Sequence, residues 1–171
     1  MPTGSGSRPP APSGARPALD EETFVARYGA LFEHSPWVAR EAFHRGGDAA
    51  AFEAALREAP RDKQLAVVQA HPELAGREAQ AGELTEASAS EQARAGLDRL
   101  TAAELADWRA LNAAYRERFG FPLVVCVREH TKDSILAWGR ERLHNEPERE
   151  LDIAVGEVVK IARLRLEDLD R

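Results

Sequence analysis

Apolar residues recur along most of the chain at the three- and four-residue steps of an α-helix, and one stretch departs from that rhythm. From Asp20 to Phe32 the apolar positions are Phe24, Tyr28, Leu31 and Phe32, one face of an amphipathic helix. Further helices are predicted over 36–45, where Pro36 suits a first helical turn, over 48–58 after Gly46 and Gly47, and over 61–71 after Pro60. Residues 76–87 read as a loop. Helices over 88–99 and 102–119 follow, the second opened by a capping box between Thr101 and Glu104 and stopped by Gly120. The run from Phe121 to Val127 alone is enriched in β-branched residues, and no second strand is present to pair it. It is expected to cross the core as a short extended segment. Two more helices, over 131–144 and 148–169, complete an all-α, single-domain bundle of about eight helices with one short extended core segment.

Helical phase then shows which polar side chains are out of place. In the last helix Leu151, Val155, Val158, Ala162 and Leu169 share one buried stripe, and Arg165 falls inside it, while Arg163 falls with Asp152 and Lys160 on the wet face. An uncompensated buried cation costs about 3–5 kcal/mol, so Arg165 requires an anionic partner, access to water or an anionic ligand. An arginine whose stem packs inside and whose head reaches water or a carboxylate fits the same pattern. His71 follows Val67 and Val68 on an apolar shoulder, and Pro72 makes it a helix exit, where the helix dipole favours a protonated imidazole. Such a histidine is either packed and hydrogen-bonded or catalytic. Ser88 and Glu91 have capping-box spacing and read as helix-start residues, with Glu91 facing solvent beside Arg94 and Asp98. Gln92 then lies beside free backbone donors, where an anionic or amide-rich ligand could dock.

Composition narrows the function classes. Residues 1–17 hold half of the ten prolines and no large apolar side chain beyond Met1, so 1–19 is expected to be a disordered tail and 20–171 the folded domain. With 23 Lys and Arg against 29 Asp and Glu, the net charge of −6 disfavours nucleic acid as a ligand. No apolar run is long enough for a membrane span and no secretory signal is seen. The lone Cys126 can close no intrachain disulfide, so a cytoplasmic protein is expected. No histidines pair at helical zinc spacing, and the common nucleotide, dinucleotide, zinc-protease and nucleophile-elbow signatures are absent. Neither metal nor cofactor is expected.

Several ordered motifs carry a resemblance. They are Glu33-His34-Ser35-Pro36-Trp37-Val38, His71-Pro72-Glu73-Leu74-Ala75-Gly76, Ser88-x-x-Glu91-Gln92, Leu111-Asn112-x-x-Tyr115, Phe119-Gly120-Phe121-Pro122 and the run from Lys160 to Leu166. From about residue 20 to the end, the chain resembles the 2-oxo-4-hydroxy-4-carboxy-5-ureidoimidazoline (OHCU) decarboxylases of urate degradation. The resemblance implies an all-helical carboxy-lyase that yields (S)-allantoin without a cofactor, acting as a homodimer on a small ureidoimidazoline. It also implies His71 as catalytic acid and base, Glu91 as its companion and Arg165 as a catalytic substrate anchor. Pro72, Ser88, Gln92 and the backbone of Leu123, Val124, Val125, Cys126 and Val127 match the family's substrate-binding positions. Leu123 departs from the second phenylalanine the family often carries there. The rival readings are a non-catalytic helical module that docks through the 148–169 stripe, and an enzyme acting on another ureido acid.

Overall fold

The computed structural model describes residues 19–171. The expected tail therefore lies outside the described residues except for Leu19, which packs partly buried against the core. Among the described residues there are nine α-helices, two 3-10 turns and no strand. The helices are α1 (Glu21–Tyr28), α2 (Trp37–His44), α3 (Ala49–Arg57), α4 (Arg61–Gln69), α5 (Arg77–Ala81), α6 (Glu86–Arg94), α7 (Ala102–Phe119), α8 (Lys132–Arg142) and α9 (Pro147–Leu169). The all-α expectation holds, and the capping box of Thr101 with Glu104 and the left-handed Gly120 end cap of α7 are where the sequence puts them.

The helix expected over 88–99 ends at Arg94, and three further differences have a local reason. The first helix gives way at Gly29 to a 3-10 turn, Gly29–Leu31, and Phe32 leaves it in an extended conformation. The stretch expected as a loop over 76–87 contains α5, which buries none of its residues and so leaves no apolar period to read. The next helix is capped by Thr85 and not at Ser88. Thr85 accepts from the Ser88 amide at 3.3 Å, so Ser88 sits at the end of the first turn and Glu91 and Gln92 lie beyond the free backbone donors expected to flank them.

Helix α9 is the spine, packing against α3, α4 and α7. Leu151, Val155, Val158 and Ala162 are buried, so the stripe offered as a docking face is used by the chain's own core. Leu169, assigned to the same stripe, is 47% exposed because the helix outruns the core. Arg163 is on the wet side as expected, paired with Glu53 at 3.3 Å. At the N-terminal end Phe24, Phe32 and Phe52 stack at centroid distances of 5.8 and 6.2 Å.

Residues 121–127 are all buried, as expected for a segment crossing the core. Charged side chains take the part that neighbouring strands play in a sheet. Arg142 Nη1 donates to the Val124 carbonyl at 2.8 Å, and the Cys126 amide donates to Glu157 Oε2 at 2.8 Å. Arg142 in turn donates from Nε to Glu150 Oε1 at 2.6 Å, Tyr115 donates its hydroxyl to the same oxygen, and Asn145 Nδ2 donates to Glu150 Oε2 at 2.9 Å. The same helix that carries Arg142, α8, passes so close that a Cβ built on Gly139 would lie 2.7 Å from Leu123 and 2.8 Å from Leu111. A side chain at 139 would have to push the tips of both leucines aside.

Candidate active site

Four separate parts of the chain meet at one buried point. Arg165 enters from α9, Ser88, Glu91 and Gln92 from α6, His71 and Pro72 from the exit of α4, and the extended segment forms the opposite wall. They line a cavity of about 30 Å³, room for roughly one water. Ten of the eleven expected site residues line it. Cys126 does not, and its amide is taken by Glu157. Its thiol is pushed up to about 11, by burial first and then by the charges of Glu129 and Glu157, which leaves it without thiolate character. Leu74 and Ile161 complete the lining and carry no polar group that sequence reasoning could have flagged.

Arg165 is 6% exposed and has the anionic partners its phase demanded. Its Nε and Nη2 meet Glu91 Oε1 and Oε2, both at 2.9 Å, in a two-pronged charge-assisted pair. Nη2 also lies 3.1 Å from Glu33 Oε1 and 3.2 Å from Ser88 Oγ, and Nη1 reaches the Leu31 carbonyl at 3.4 Å. Burial opposes this charge, but the hydrogen bonds and charges of Glu91 and Glu33 outweigh it and raise the guanidinium pKa. Glu91 is 8% exposed, against the solvent-facing position its own helix implies, because Arg165 of α9 and Arg128 at 3.7 Å come to it from outside α6. Glu91 and Arg165 also border a second cavity of about 740 Å³, whose lining includes Arg94, Arg128 and Leu169.

Gln92 uses its amide to fix the loop after His71. Its Oε1 accepts from the Ala75 amide at 2.9 Å, and its Nε2 donates to the Glu73 carbonyl at 3.4 Å. Ala75 is left-handed, with φ 49°, a conformation costly for a residue with a Cβ and held here by that bond. Within 123–127 the amides and carbonyls of Leu123 and Val125 have no protein hydrogen bond among the described residues. The amides of Val124 and Val127 are likewise unpaired among the described residues, so this wall offers a ligand both donors and acceptors.

His71 is 7% exposed, and its Nε2 has no partner within the protein. The helix-end argument expected a protonated ring. Burial lowers the imidazole pKa to about 4, the nearby Arg165 charge adds to the fall, and Glu33 opposes it only in part. At neutral pH the ring is therefore an uncharged base. Because its folded value lies below the ordinary 6.5, the unfolded chain takes up this proton first, and stability falls as pH drops from about 6.5 to about 4. The wild type should lose about 3 kcal/mol over that window relative to His71→Asn, measured by denaturant unfolding at each pH. Parallel pH profiles for the two proteins would contradict the assignment.

Among the described residues no three His, Cys, Asp or Glu side chains converge as a metal site would need. No helix among them is long and apolar enough to cross a membrane.

Comparison with known proteins places this arrangement. The family model described as OHCU decarboxylase matches residues 17–167. A 2-oxo-4-hydroxy-4-carboxy-5-ureidoimidazoline decarboxylase from Amia calva is 42% identical over 161 residues, covering 89% of this chain and 90% of that one. One from Haloferax volcanii is 40% identical over 154 residues, covering 86% and 89%. A crystal structure of (S)-allantoin synthase superposes with a TM-score of 0.68 at 30% identity over 88% of this chain, which spans 50% of the length of that one. A family match over nearly the whole folded region, joined to relatives of similar length at about two residues in five, has one meaning: the chain belongs to the OHCU decarboxylase family.

Proposed function

We propose that the chain decarboxylates OHCU to (S)-allantoin in urate degradation, with His71 as the proton-transfer group and Glu91 and Arg165 as its catalytic partners. The observation that carries the assignment of roles is the convergence of an uncharged, unpartnered imidazole and a paired guanidinium and carboxylate on one buried cavity. In this reaction the bond from the ring carbon to the carboxylate breaks and carbon dioxide leaves. The electron pair passes through the adjacent ring carbon to the imine nitrogen, which takes up a proton. The resulting enol gives its hydroxyl proton away and gains one at the ureido-bearing carbon, for a net uptake of one proton. The substrate ring is thus the electron sink, and the protein has to orient, desolvate and move protons.

Neutral His71 suits acceptance of the hydroxyl proton and, as imidazolium, its return to carbon from one face, which gives a single enantiomer. Arg165 would hold an anionic or carbonyl group, and Glu91 would set the orientation of substrate or imidazole. The unclaimed amides and carbonyls of Leu123 and Val125 suit the ureido and ring amides, with Pro72, Ser88, Gln92, Val124 and Val127 around them. Drug-sized ligands occupy cavities of roughly 300 Å³ or more, so the walls have to part to admit substrate. Cytoplasmic location and a homodimer belong to the same reading. The family resemblance supports the homodimer, and the single buried Cys126 supports a reducing compartment.

The purified chain, added to freshly generated OHCU, should accelerate its loss and yield dextrorotatory allantoin by circular dichroism. Racemic product forming at the spontaneous rate would refute the function.

A further inference from the structure

Glu33 has no role in the assignments above, yet it is 3% exposed beside Arg165. The exit of the 3-10 turn places it there, with extended Phe32 before it and left-handed His34, φ 52°, after it. Its Oε1 accepts from three donors, the Thr85 hydroxyl at 2.9 Å, the Ser88 hydroxyl, and Arg165 Nη2 at 3.1 Å. Burial works against its charge, but Ser88, the Arg165 charge and Thr85 together hold the carboxyl below its usual range. Glu33 is therefore a fixed anion tied to two helices.

Glu91 is tied differently. Both of its hydrogen-bonded oxygens rest on Arg165, and it borders both cavities. A guanidinium has five N–H groups. On Arg165 one points to Glu91 from Nε, two from Nη2 serve Glu91 and the Glu33–Ser88 pair, and one from Nη1 serves Leu31. One N–H is left, so Arg165 can grip a substrate anion with two bonds only by giving up a present partner, and Glu91, which borders both cavities, is the partner placed to exchange. Once the substrate carboxylate has left as carbon dioxide, that release would strand a buried cation unless another counter-ion stayed in place.

We infer that Glu33 is a positioning residue, the permanent counter-ion that keeps Arg165 aimed and paired while Glu91 is exchanged from Arg165 onto the substrate. This rests on the decarboxylase reading above. Its signature is a split between chemistry and binding, because removing Glu33 makes Glu91 the sole counter-ion of Arg165 and disfavours the reactive arrangement. The test is steady-state kinetics on OHCU for wild type, Glu33→Gln, Glu91→Gln and the double variant, with circular dichroism to establish folding.

Expected for Glu33→Gln is a kcat at least about tenfold lower with KM within about threefold of wild type. In the Glu91→Gln background the same change strips Arg165 of its last carboxylate partner, so its cost in kcat should be at least about threefold larger than in the wild type. A folded Glu33→Gln with unchanged kcat, or one that costs no more in the Glu91→Gln background than in the wild type, overturns the inference and leaves the decarboxylase reading standing. If Glu33→Gln does not fold, Glu33→Asp replaces it in the cycle. That variant keeps the charge but draws it back from Arg165, with the same coupling expected and multiplicative loss again overturning the inference. A wild type without OHCU turnover removes the decarboxylase reading and this inference with it.

Discussion

His71→Asn should leave the far-ultraviolet circular dichroism of the protein unchanged and lower kcat/KM for OHCU by about 10²–10⁴-fold, the usual share of a positioned acid-base group. The fold should tolerate the change, because Nε2 has no partner within the protein and asparagine strands no buried charge. The loss should fall on kcat, since an imidazole that only moves protons contributes little to holding the ground state. The rate should instead follow the ring's charge state. With the pKa of the free enzyme at about 4, kcat/KM stays level from neutral pH down to the acid limb set by that value. An asparagine variant that turns over at the wild-type rate would leave His71 as packing and return the acid-base role to Glu91.

The second large effect lies away from the cavity. Arg142 is 1% exposed and Glu150 is fully buried, and the pair holds Tyr115, Asn145 and the Val124 carbonyl in one network. Arg142→Met would leave the Glu150 carboxylate facing only the Tyr115 hydroxyl and Asn145. Breaking such a pair from one side costs about 3–5 kcal/mol, equivalent to a fall in Tm of roughly 10–15 °C for a domain of this size. Replacing both partners, Arg142→Met with Glu150→Leu, should recover most of that loss, since the desolvation penalty disappears with the charges. Melting of the single variant within about 2 °C of wild type would mean that water already reaches the pair.

The helices were legible because each of the longer ones buries a face, and burial writes its period into the chain. Arg165 was legible for the same reason, as a cation inside an apolar arc. What escaped was set by partners far away in sequence. Glu91 faces water if only α6 is considered, and its burial depends on Arg165, 74 residues on. Glu33 lies 132 residues from the guanidinium it meets, so its place in a recognisable motif carried no indication of its partner. The charge state of His71 went the other way for the same cause. A helix end stabilises an imidazolium by a few tenths to about 2 kcal/mol, less than burial beside a guanidinium removes. Thr85 caps α6 although Ser88 and Glu91 have capping-box spacing, and only the burial of those two shows that they serve the interior.

The missing side chain at position 139 works as a gauge. A methyl group there would press on the tips of Leu111 and Leu123, and Leu123 is itself part of the cavity wall, so crowding in the adjoining helix would be passed to the space behind that wall. A substitution at 139 would thus reach the pocket through its wall, from a residue that does not itself line the cavity.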